Sequence, residues 1–61
     1  MVQSVERAAA IIRLLASEPE PLTLARIAEA VGLAKGTTHG LLKTLLDVGF
    51  AEQEPGSARY R

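Results

Sequence analysis

The stretch "LTLARIAEAVGLAKGTTHGLLKTLLDVGF", residues 22–50, decides the fold. Leu24, Ile27, Ala28 and Val31 recur at the i, i+3, i+4, i+7 spacing of one helix face, while Arg26 and Glu29 fall on the other. Thr23 stands before them as an N-cap, and Gly32 follows where a left-handed residue ends a helix at least cost. Leu33 is then expected to turn back toward the core. A third helix opens at Ala34 or Lys35, with Leu41, Leu42 and Leu45 on its buried stripe and Gly49 as its stop. The spacing therefore predicts helices over 23–31 and 35–48 joined by a tight turn. Ala28 supplies the small residue at their crossing, and Ile27, Val31, Leu33 and Leu41 supply the apolar flanks. This is a helix-turn-helix pattern, although a generic three-helix domain can carry the same short turn.

Upstream, Val5, Ala8, Ala9, Ile12, Leu15 and Ala16 fall at helical spacing, with Ser4 placed to cap and Glu6 in the first turn, so a first helix is expected over 4–17. "SEPEP" (17–21) breaks it, because Pro19 and Pro21 remove donors and push the residues before them to extended backbone. Downstream the period changes. "FAEQ" (50–53) and "ARYR" (58–61) read as short extended segments, and the Pro55-Gly56 pair between them suits the centre of a type II turn. The expected fold is mainly α: a winged helix-turn-helix of three helices plus a two-stranded β-hairpin wing over 50–61. The second segment is cut short, so the chain reads as one domain of a longer protein.

Composition narrows the function. Sixty-one residues allow one domain, and a chain of this size buries only about 60% of its unfolded surface, so association with a partner is the expected help to its stability. There is no cysteine and only one histidine, which excludes disulfides and the usual zinc ligand sets. No metal or cofactor is expected. No nucleophile, base and orienting acid can be assembled, so no catalytic residue is assigned and an enzyme is not expected. No stretch approaches the roughly 20 apolar residues that span a bilayer, and a cytoplasmic, nucleoid-associated protein is expected. The net charge of zero argues against a polybasic coat but leaves room for a local patch.

That patch falls on the third helix. At about 100° per residue, Gly36, His39, Gly40, Lys43 and Asp47 lie opposite the leucine stripe. Each glycine costs about 0.8–1 kcal/mol in an exposed helix relative to alanine. Either nothing selects a side chain there, or the bare backbone lets the helix approach a groove wall. From Ala30 to Leu46 the chain carries Lys35, His39 and Lys43 but no Asp or Glu, a locally positive surface suited to phosphates. Thr37 borders this face and is placed to donate to a phosphate, whereas Thr38 points inward. Arg59 and Arg61 add charge to the wing. Helix one offers a dimer contact, with Ala10 and Leu14 as apolar surface beside Arg7. A winged helix that docks a protein partner instead of DNA is the alternative from another class.

At this point "VQSVERAAAIIRLLA" (2–16), residues 22–50 and "AEQEPGSARYR" (51–61) together resemble the N-terminal DNA-binding domain of the isocitrate lyase regulator (IclR) family of bacterial transcription factors, over essentially the whole chain. "AKGTTHG" (34–40) resembles more particularly the glycerol-operon repressor branch of actinobacteria. The resemblance implies a homodimer or higher even oligomer that binds a palindromic double-stranded operator. It also implies a small-molecule effector bound by a C-terminal domain outside these residues, and a metabolite-responsive repressor of a catabolic operon. Thr37, His39 and Lys43 match positions common in the family's recognition helix. Many members carry proline, serine and arginine where this chain has Ala34, Gly36 and Gly40, so a typical member's contacts do not transfer there. The expected arrangement puts Thr37, His39 and Lys43 in a major groove. Lys35 and the amides near Thr23 hold phosphates, and Arg59 or Arg61 grips from the wing.

Overall fold

The computed structural model describes residues 1–61 as three helices, α1 (Gln3–Ser17), α2 (Leu24–Val31) and α3 (Lys35–Asp47), followed by a short turn-rich segment that closes back onto the loop before α2. Each of the three helices packs against the other two. The buried cluster takes Ile11 from α1, Ile27 from α2, Leu42 and Leu45 from α3, and Ala51 and Tyr60 from the C-terminal segment.

α1 is ended by Glu18, which is extended (φ −99°, ψ 131°) as the following Pro19 requires. At its other end Val2 is the flanking residue and no side chain caps it, so Ser4 lies inside the first turn and does not serve as the expected N-cap. The buried stripe also differs from the sequence expectation. Ile11, fully buried, is its centre, whereas Val5 is 65% exposed. The stripe is thus turned by roughly 50–100° toward Leu14 and Arg7, and Leu14 is half-buried against the core. An alanine-rich helix gives a pattern reading little to choose between adjacent faces, and the two isoleucines can each define one.

α2 begins as predicted, with the Thr23 hydroxyl oxygen accepting from the Arg26 amide at 3.2 Å. It ends at Gly32, whose φ of 72° is left-handed. The Gly32 amide donates to the Glu29 carbonyl (3.3 Å) and the Leu33 amide to the Ala28 carbonyl (3.0 Å), the pairing of a Schellman motif. Leu33 is half-buried and does not pack on the core cluster, contrary to the plug expected of it. The same pairing closes α3, where Gly49 (φ 80°) donates to Leu46 at 3.1 Å and Phe50 to Leu45 at 2.8 Å. α3 therefore stops at Asp47, with Val48 as its cap.

The expected two-stranded hairpin is not present as strands. The amides of residues 50 and 51 instead donate back to the Leu45 carbonyl of α3, and Ala51 is buried. What remains is a pair of isolated bridges centred on Tyr60, to Leu22 on one side and to Gln53 on the other. Leu22 and Tyr60 exchange both backbone bonds (2.8 and 2.7 Å), as do Glu52 and Arg61 (2.8 and 2.9 Å). Gly56, with φ 84°, has the sign a type II turn demands at its third position. The ladder is cut short by Ala58, whose φ of 59° is left-handed in a residue that carries a Cβ. Relief of this strain makes Ala58→Gly stabilising by about 0.5–1 kcal/mol, measurable as a raised urea midpoint with an unchanged slope. A lowered midpoint would show the left-handed conformation to be supported by contacts of the Ala58 methyl.

Candidate nucleic-acid interface

The geometry of the site follows from which face of α3 the core uses. Thr38, Leu42 and Leu45 are its buried residues. Thr38 is the one buried polar side chain, and its hydroxyl is satisfied by donating to the Ala34 carbonyl at 2.9 Å. With that side turned inward, Lys35, Gly36, Thr37, His39, Gly40 and Lys43 are all exposed on the same helix. The exposed residues of α3 from Lys35 to Lys43 thus form one outward surface with three cation-capable side chains, and α3 carries no carboxylate before Asp47.

The glycines answer to nothing inside the fold. A Cβ built at Gly36 or at Gly40 meets no atom within 4 Å, and neither residue has the left-handed backbone that favours glycine. Their helical cost is therefore not offset by intramolecular packing. This contrasts with Gly32 and Gly49, whose positive φ values are needed to end two helices.

Thr23 is half-buried, and its hydroxyl is occupied as the α2 cap, which leaves its neighbouring first-turn amides as the groups open to an anion. Both wing arginines are exposed, but their charge is less free than the sequence suggests. Arg61 pairs with Glu52 at 3.3 Å, and Glu54 accepts from Ser57 beside it. Arg59 makes no ion pair. Since an exposed pair such as Arg61–Glu52 is worth only about 0–1 kcal/mol, it can open for a phosphate, yet the wing as a whole is close to neutral. Arg26 on α2 is likewise closed on Glu29 at 2.8 Å.

The dimer contact expected on α1 is only partly available. Ala10 is exposed and Arg7 half-buried, but Leu14 packs on the core, which removes the apolar centre of that patch. Exposed apolar surface lies instead at Met1, Val2 and Val5 and at Val48 and Phe50. Val5 also lines an open cleft of about 330 Å³ between α1 and α3, together with Ser4, Ala8, Leu41, Thr44 and Leu45. Sequence reasoning missed this cleft because it assigned Val5 to the core. No group of three or more His, Cys, Asp or Glu side chains is placed to hold a metal ion, and no helix is long and apolar enough to cross a membrane.

Comparison with known proteins places this arrangement. The model of the IclR helix-turn-helix domain matches residues 4–55. The glycerol operon regulatory proteins of Streptomyces griseus and Streptomyces coelicolor are 57% and 55% identical over 60 residues, which is 98% of this chain and 24% of each relative. The HTH-type transcriptional regulator XynR of Escherichia coli is 41% identical over 61 residues, 100% of this chain and again 24% of the relative. The chain spans about a quarter of the length of these curated relatives.

Because nothing in the fold occupies the space beside them, Gly36→Ala and Gly40→Ala are each expected to stabilise the chain by about 0.8–1 kcal/mol. Chemical denaturation of the two variants checks this. Destabilisation by either would mean that the glycine serves the fold after all.

Proposed function

The chain belongs to the IclR helix-turn-helix family, and from that premise we propose that it reads double-stranded operator DNA through the outer face of α3, as the DNA-reading domain of a bacterial transcriptional regulator. The observation that carries this reading is the exposed run from Lys35 to Lys43, cationic and free of carboxylates on a protein of zero net charge. A duplex is the partner that such a local surface suits, because its phosphates reward clustered cations and its major groove admits a helix.

In the proposed arrangement Thr37, His39 and Lys43 approach base edges or adjacent phosphates in one major groove. Gly36 and Gly40 lie between them and let the helix backbone come close to the groove wall. Lys35 and the first-turn amides of α2 beside Thr23 hold flanking phosphates. Arg59 grips the backbone from the wing, joined by Arg61 once it exchanges Glu52 for phosphate.

One domain presents few contacts. Two copies related by a two-fold axis would read half-sites about one helical turn, or a multiple of it, apart, and the regulator is proposed to act as a homodimer or higher even oligomer. The names of the relatives, two of them glycerol operon regulatory proteins, support an operon-controlling role. Repression of a catabolic operon, relieved or strengthened by a metabolite bound in a domain outside these residues, is the form we propose for it, in the cytoplasm at the nucleoid.

A protein-docking winged helix is favoured by two separate features, the exposed Val48 and Phe50 and the apolar cleft between α1 and α3. Binding to duplexes recovered from a random-sequence pool separates the two. With about four phosphate contacts per domain, log affinity is expected to fall with log salt at a slope of roughly −4. Lys43→Ala weakens binding and makes that slope shallower by about one. A flat slope, or indifference to both sequence and Lys43, would sink the DNA reading and leave the docking one. Gly36→Ala and Gly40→Ala are expected to lower duplex affinity while raising stability. Unchanged affinity would assign those glycines to mere tolerance.

A further inference from the structure

His39 is the only imidazole in the chain, and it stands exposed on the outward face of α3 with Lys35 one turn before it and Lys43 one turn after. Nothing in the folded chain takes up its ring nitrogens, since no side-chain hydrogen bond or ion pair reaches it. The elements packed on α3 carry Glu6, Arg7 and Arg13 on α1, and Arg26 and Glu29 on α2, the last two closed on each other. The loop before α2 adds Glu18 and Glu20, and the wing adds Glu52, Glu54, Arg59 and Arg61. None of these bonds to the imidazole.

A duplex would change that balance. Phosphate oxygens are acceptors only, and the purine edges of the major groove present N7 and O6 as acceptors. An imidazolium donates from both nitrogens, whereas the neutral ring must present one lone pair to its surroundings. A polyanion whose near groups are mostly acceptors therefore favours the charged ring on both counts.

We propose that DNA binding by this face is proton-linked through His39: the complex takes up a proton at this imidazole, so affinity falls as pH rises. The inference rests on the DNA reading given above. The sign follows from linkage. If the complex binds more protons than the free partners, raising pH withdraws a reactant and weakens binding. Uptake of part of a proton over two pH units corresponds to an effect of about three- to tenfold in affinity between roughly pH 6 and pH 8.

The test uses duplexes recovered from a random-sequence pool, with affinity measured at fixed low salt from about pH 6 to about pH 8 for the chain and for His39→Gln. Because His39 is exposed, the variant is expected to fold, which circular dichroism of both proteins checks at each pH. The expected result is a three- to tenfold loss of affinity for the chain on raising pH, absent in His39→Gln. Calorimetry in two buffers of different ionisation enthalpy should then show proton uptake by the chain and none by the variant. A flat profile for the chain overturns the proposal while leaving the DNA reading intact. That is the outcome if the neutral ring accepts from an adenine or cytosine amino group. An equal pH dependence in the variant also overturns it, by assigning the proton elsewhere, for instance to the amine of Met1. Failure to bind duplex at any pH overturns the DNA reading, and this inference with it.

Discussion

The left-handed turn at Gly32 fixes how α3 leaves α2, and every functional statement about the chain depends on that direction. Two backbone bonds, from Gly32 to Glu29 and from Leu33 to Ala28, use up the last carbonyls of α2 and leave no freedom to continue it. Two residues later α3 begins, and Thr38 locks its first turn by sending both its amide and its hydroxyl to the Ala34 carbonyl. With Thr38, Leu42 and Leu45 all buried on its inward side, α3 cannot rotate about its axis without exposing two leucines and carrying polar side chains into the core. The outward face of α3 is thus defined by what the inward face must do.

That constraint has a cost, and the chain has little stability to spare. Only eight of its 61 residues are buried, so a few side chains from each element supply most of the packing. Tyr60 shows how thinly this is spread: one residue is at once a core side chain and the link that ties the wing to the loop before α2. Against so small a core, two helical glycines that no contact requires represent about 2 kcal/mol of helix propensity forgone. A domain selected for stability alone would not be expected to carry them on one face of one helix. The proposed duplex contact gives that surface a use in which the absence of side chains is the useful property.

Much of this was legible in the sequence, and the exceptions share a cause. The extents of α2 and α3, the Thr23 cap, the stops at Gly32 and Gly49, the inward Thr38 and the outward Gly36–Lys43 face all follow from short-range rules. Capping, left-handed glycines and helical period each act within a few residues. What pattern could not supply was the choice among nearly equal alternatives made by tertiary contacts. In α1 the run of alanines lets the apolar stripe be drawn through Val5 or through Ile11, and only packing against α2 and α3 selects Ile11 and brings in Leu14. The wing failed as a hairpin because Ala58 adopts a left-handed backbone, a state alanine does not advertise. The charge of Arg61 was overcounted because Glu52 lies across the turn from it, nine residues away in sequence.

Charge placement also explains how a neutral domain can suit a polyanion. The carboxylates are not removed but displaced: Glu18 and Glu20 sit in the loop after α1, Glu29 is held by Arg26, and Glu52 and Glu54 lie on the wing. Between Glu29 and Asp47 no acid interrupts the outward surface of α3. Since charges more than about 8–10 Å apart are largely screened at physiological salt, a phosphate against Lys35 or Lys43 responds to its near neighbours far more than to the sum over the molecule. Net charge governs solubility and long-range approach, whereas contact is governed by what lies within one turn of helix. It is this separation that lets a chain with equal numbers of acids and bases carry one locally cationic face.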